Sequence, residues 1–472
     1  MKKKIVYSAT ALLCLFFTIQ YSCTNKDTAE TKDQIDTKLV TSTETTHVNG
    51  IDKSPFPDFG FMLPPAQVDS LGIRVFRLSQ DYPEKLPTNP LPDFFQTDFK
   101  KDWRKYLLQV QKYCFKGNTD VDFRVEDNKT RNWYHMPWQN YTTNGREGFH
   151  GLTKEAPVKP FQLASGQSYK TGGAWAVGFF NDVAGHKIGQ VWNDHSDPDV
   201  KAMGKGFENG AVLFKILFLS IPQNIVEKQI PFLQNGQWWD AYATYNFPDN
   251  VNRKHIKVAL IQMDIMVRDD RAPNGWVFGN FQYNGKMNKA NKWENLVPVG
   301  IMWGQDPTNN TNQSNPQPKK TIINTSLLET IINPDSNELP ATHLGWNGRL
   351  NGPVDNPQSS CYSCHATAEY PQGSPISPLF DADTLKADPV GSKGWMRWFS
   401  NLKCGTPFDD PAKYQSTDFC LQLAESLQNF ESWKGTQGGL FYENYKIKPK
   451  ALKAAKKPEV PAKIFELGRR NI

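Results

Sequence analysis

Apolar positions along the chain follow two different spacings. Between Phe99 and Cys114, the residues Trp103, Tyr106, Leu107, Val110 and Tyr113 recur every three or four positions and stop before Gly117, which predicts an amphipathic packing helix. Ala174–Phe180, His186–Trp192, Ala211–Leu219, His255–Val267, Trp276–Tyr283 and Leu296–Trp303 are short β-rich runs parted by Gly, Asn, Asp and Pro clusters. They predict an antiparallel sheet. Asn309–Lys320 is a polar Asn/Pro/Gln stretch that reads as an exposed loop or subdomain boundary, and Trp395–Leu402 and Ser416–Trp433 return to helical spacing.

The N-terminus breaks both patterns. Met1–Lys4 is basic, Ile5–Ile19 is mostly apolar, and Ser22 places a small residue directly before Cys23, which together predict a lipoprotein signal over residues 1–22 with lipid on Cys23. Gln20 and Tyr21 depart from the usual pattern of such a signal, and an uncleaved anchor is the alternative. The apolar run of about 15 residues is shorter than the ~20 that a spanning helix needs, which favours a processed signal. Residues 23–52 are rich in Thr, Lys, Asp and Glu and poor in apolar side chains, so they are expected to form a disordered tether to a bacterial membrane, outside the cytoplasm. The tail from Lys446 to Arg470 carries nine Lys or Arg against Glu459 and Glu466, and reads as a solvated face or a docking strip for an acidic redox partner or lipid headgroups. A net charge of +6 over 472 residues, without a nucleic-acid motif, argues against nucleic acid as a partner.

The most specific chemistry is Cys361-Tyr362-Ser363-Cys364-His365. C-x-x-C-H is the attachment sequence for a c-type haem: two thiols form thioethers with the porphyrin, and the adjacent imidazole ligates the iron as its proximal ligand. A zinc site would need a second ligand pair at short spacing. A thioredoxin-like pair would follow a strand inside a βαβ unit, whereas this motif follows Asn351–Ser360. One covalent haem c on Cys361 and Cys364, ligated by His365, is therefore expected. With Cys14 in the signal, Cys114, Cys404 and Cys420 remain in an oxidising compartment. Cys404 and Cys420 are the candidate disulfide, closing a loop of about 15 residues, and Cys114 is left as a buried free thiol.

The iron's opposite side is less legible. Asn132–Trp138 and Gly145–Thr153 concentrate groups able to line a haem pocket, which makes His135, Met136, Arg146 and His150 the distal-side candidates. The plainer alternative places Trp133, Trp138 and Phe149 in the core, with both histidines as satisfied loop residues. His343 is a lesser candidate because it lies close before the motif. No Ser/His/Asp order, phosphate loop or H-E-x-x-H names another reaction, so whether the chain is an enzyme is left open.

Met263–Asp269 (MDIMVRD), Asn274–Gly279 (NGWVFG) and the C-x-x-C-H that follows resemble mono-haem cytochromes of the hydroxylamine-oxidising, lysine-crosslinked-haem type and their c′-β relatives. The likeness covers about a third of the chain and includes Phe207–Lys215, where that family has a hydrophobic strand leading into a lysine. More broadly, the chain resembles large bacterial cytochrome c family lipoproteins with one C-x-x-C-H. The resemblance implies a β-rich fold with haem near the C-terminus, and a covalent link from Lys215 to haem. The plainer reading of Lys215 is an ordinary lysine at a strand end. The expected class is thus α+β: a central antiparallel β-sheet or β-barrel-like core with its N-terminal helix over 53–320, a haem-bearing loop segment over 321–389, and a mainly helical region with a basic tail over 390–472. Three functions are ranked: a membrane-anchored electron carrier with a redox partner protein, a haem enzyme or gas-binding protein with an open distal site, and a binding lipoprotein with structural haem.

Overall fold

The computed structural model describes residues 76–139, 145–247, 249, 252–311, 318, 320–377 and 388–434. The signal, the tether with Cys23, and the basic tail lie outside the described residues, as does part of Asn309–Lys320.

Eight strands form one antiparallel sheet: β1 (Thr153–Pro157), β2 (Gly173–Phe180), β3 (Val212–Leu219), β4 (Trp238–Ala243), β5 (Lys254–Arg268), β6 (Trp276–Tyr283), β7 (Leu296–Met302) and β8 (Thr330–Ile332). The order is β1-β2-β3-β5-β6-β7-β8, and β4 pairs with the first half of β5 along the edge whose second half pairs with β3. The sheet is open; it does not close into a barrel. Six α-helices accompany it among the described residues: α1 (Trp103–Phe115), α2 (Asp182–Val191), α3 (Gln223–Gln229), α4 (Cys361–His365), α5 (Lys393–Arg397) and α6 (Leu421–Lys434). A two-stranded ribbon of β9 (Glu369–Tyr370) and β10 (Gln415–Ser416) lies between the last helices in sequence. The α+β class is therefore observed.

The sheet buries both faces, so most of its strands are apolar almost throughout. Strand alternation sends Phe179, Phe214, Phe218 and Ile265 to one face, where α1 packs so closely that a Cβ at Gly279 would sit 2.5 Å from Leu107 Cδ2. Phe180, Leu213, Met266 and Phe278 point to the other face and share an apolar cluster with Tyr362 of α4 and Leu423, Leu427 and Phe430 of α6. A bulge inserts Ile261 into β5 opposite the Leu217–Phe218 step. Upstream of it Ile256, Val258 and Leu260 face α1; downstream Gln262, Asp264 and Met266 face α4.

One predicted strand is a helix. His186–Trp192 belongs to α2, because Asn181 caps its first turn by accepting from the Ala184 amide at 3.1 Å, and Ala184, Ile188 and Val191 then fall on one buried stripe.

Candidate functional site

The C-x-x-C-H motif is a single helical turn, not a loop. Ser360 and Ser363 cap it reciprocally: the Ser363 amide donates to Ser360 Oγ at 3.0 Å, and the Ser360 amide donates to Ser363 Oγ at 2.8 Å. The Cys361 amide donates to the Leu350 carbonyl at 3.0 Å, which ties the turn to the segment before it. That segment is itself fixed by buried Arg349, whose guanidinium donates to the carbonyls of Gln305, Trp346, Asp306 and Asn309.

His365 Nδ1 lies 2.7 Å from the Phe419 carbonyl. A carbonyl only accepts, so Nδ1 carries the hydrogen and Nε2 is the nitrogen with the ligating lone pair. Burial pushes the imidazole down to about 4, which leaves it neutral, the form that binds a metal. Phe278 packs beside the ring at 5.5 Å, and Tyr362 and Phe419 complete an aromatic wall.

The sheet carries polar residues on the face that the turn packs against. A register row crosses five strands, from Gly178 through Lys215, Asp264 and Asn280 to Gly300, so the three polar side chains are neighbours on the α4 face. Lys215 pairs with Glu155 at 2.9 Å. Asn280 Nδ2 donates to Asp264, and the Gln262 amide bridges two carboxylates, donating to Asp264 Oδ1 at 2.8 Å and Asp355 Oδ2 at 3.1 Å. Burial, then the Asp355 charge, pushes the Asp264 carboxyl up to about 8. Burial raises both thiols, with Asp264 and Asp355 adding to the effect on Cys361; Cys364 is pushed up to about 11. Reactive redox cysteines sit in electropositive surroundings that lower their values, so this environment is the reverse of a thioredoxin-like one. Cys361, Cys364, His365, Lys215, Asp264 and Asp355 all retain accessible surface although burial governs most of their titrations, as expected of residues lining a recess.

The residues present fit a c-type haem: two unpaired thiols and a neutral imidazole on one turn, beside an aromatic cluster and a polar row of the sheet. Haem would hold to Cys361 and Cys364 with His365 as iron ligand, and supply one-electron or ligand-binding chemistry there. Among the described residues no group of three or more His, Cys, Asp or Glu is placed to hold a bare metal ion.

The distal candidates separate. The His135 ring packs on Phe179, on the α1 face, and its Nδ1 accepts from the Ser79 amide at 2.9 Å. His150 stacks 3.9 Å from Trp239, itself stacked on Phe218 of that same face, and its nitrogens reach Asp122 and the Asp240 carbonyl. Both histidines thus lie across the sheet from His365. Arg146 donates to the carbonyls of Gly151 and Met136. Met136 alone of the four joins the apolar cluster that includes Tyr362 and Phe278. His343 is buried with Nε2 on the Pro353 carbonyl at 2.9 Å. Lys215 is not at a strand end but in the middle of β3, facing α4.

Cys404 and Cys420 are both free: Cys404 packs against Gly275, and Cys420 is buried at the start of α6. Cys114 is a buried free thiol. Asp264, Asp355, Gln262 and Asn280 were not singled out in the sequence, although a carboxylate inside the apolar run of β5 was a visible signal. No helix among the described residues is long and apolar enough to cross a membrane.

No family model, curated protein or solved structure matches the chain.

Proposed function

We propose that the chain is an extracytoplasmic c-type cytochrome, with one haem c on Cys361 and Cys364, His365 as proximal ligand, and a lipid anchor on Cys23, passing electrons to a redox partner protein. The observation that carries this reading is the C-x-x-C-H turn itself, with its capped helix and a neutral His365 whose Nδ1 is fixed on the Phe419 carbonyl. The haem-bearing segment over 321–389, the helical region after it and the cytochrome c resemblance belong to the same reading. Met136 is the distal candidate that this reading retains.

The polar row favours a second reading, in which the iron keeps an open side. Asp264, raised to about 8, would stand protonated at neutral pH beside Lys215 and could give a proton to a small ligand on the haem.

Absorption spectra of the reduced and oxidised protein, matured with its haem, test both. Six-coordinate low-spin iron is expected of the carrier, and five-coordinate high-spin iron that takes up carbon monoxide of the second reading. Loss of all colour from the polypeptide on a denaturing gel would sink both. A haem peptide whose mass includes Lys215 would add the crosslink that the resemblance implies.

A further inference from the structure

Four residues beyond His365, Glu369 opens β9 and is fully buried. Its Oε2 accepts from the Asp409 amide at 2.8 Å, while its buried Oε1 meets no donor. The two acidic side chains crowd one glycine: a Cβ at Gly373 would lie 2.7 Å from Glu369 Oε1 and 2.2 Å from Asp409 Oδ2. Two carboxylates this close, one buried and one half-buried, cannot both ionise without repulsion. Asp409 is the better supported as an anion, since Arg397 pairs with it and Ser374 Oγ donates to its Oδ1 at 3.0 Å.

We propose that Glu369 carries a proton at neutral pH and donates it to Asp409, and that this hydrogen bond latches the 397–414 loop onto the strand leaving the C-x-x-C-H turn, releasing it in alkali. Burial, then Asp409, pushes Glu369 up to about 8. Asp409 is held below the carboxylate range: burial opposes this, but hydrogen bonds from Glu369 and Arg397 outweigh it. The other charged and titratable groups around the pair are Tyr414 and Asp410 of the same loop, with Lys413 3.8 Å from Asp410, and Glu431 of α6, which acts on the neighbouring Tyr370. Because Glu369 is raised in the folded state, its contribution to holding the loop is complete below the ordinary Glu range and is lost as pH rises through about 8.

The loop reaches the motif. Tyr362 Oη donates to the Leu402 carbonyl at 2.5 Å and accepts from the Leu402 amide at 3.1 Å, so release of the loop frees the hydroxyl of a ring that packs on Phe278, the neighbour of His365.

Hydrogen–deuterium exchange of residues 397–414 in the full chain, corrected for intrinsic rates, tests the latch. Protection is expected to fall by up to about tenfold per pH unit between the ordinary Glu range and about 8 and to level off above it, and to stay flat in Glu369→Gln, which keeps a donor that cannot ionise. Flat protection in the wild type, or a Gln variant that follows the wild type, would overturn the proposal. Should that variant fold poorly, the infrared band of a protonated carboxyl in Asp264→Asn, which removes the other carboxyl raised to about 8, decides: titration near pH 8 supports the latch, and its absence at pH 7 overturns it.

Discussion

At the scale of single residues, Arg349 shows how one side chain can hold the approach to a site. Its guanidinium is buried, and burial pulls it down to about 10, yet four carbonyls accept from it. Arg349→Ala would strand those acceptors and is expected to cost on the order of 3 kcal/mol, read as a lower denaturation midpoint, together with loss of haem incorporation. Asp264 gives a pH prediction. Its folded value is raised from the ordinary Asp range to about 8, so its stabilising contribution is present below that range and disappears as pH rises through about 8. Asp264→Asn should flatten the loss of thermal stability across that window; an unchanged profile would exclude Asp264 as its source. Lys215 shows what single positions hide: a lysine in an apolar run is visible, but its neighbours Asp264 and Asn280 come from register.

At the scale of elements, strands β2, β3, β6, β7 and the second half of β5 were legible because both faces are buried and the runs are continuous. The edge strands β1, β4 and β8 were not: they are short, and β1 and β4 carry charged residues such as Lys154, Glu155 and Asp240. His186–Trp192 alone looks β-like, because Asn181, the cap of helix α2, lies outside that window. Asn181 also accepts from the Val212 amide at 3.0 Å and donates to the Gly210 carbonyl at 3.0 Å, so Asn181→Ala is expected to cost about 2 kcal/mol in chemical denaturation, more than an isolated cap. The motif itself stood out by its spacing, but its helical form did not, because the capping pair Ser360 and Ser363 carries no hydrophobic period. The distal side was not, because His135 and His150 stand near the motif only in chemical kind; a sheet separates them from it.

At the scale of the whole molecule, the proposed anchor is expected to act independently of the folded body. Cys23→Ala is expected to move the protein from the membrane fraction to the soluble extracytoplasmic fraction with its absorption spectrum unchanged. A wild-type protein already soluble after signal removal would refute the anchor.

The extra residue in β5 reaches further than the strand itself. Ile261 acts like a frameshift in a two-letter message: before it, even-numbered side chains belong to one side of the molecule, and after it to the other. Restoring regular alternation by a single deletion there would put one half of the strand out of phase, sending either Asp264 and Met266 or Val258 and Leu260 to the wrong layer. A one-residue length change at this point is therefore a change of the site's chemistry, whereas the same change in an exposed loop is a change of length alone.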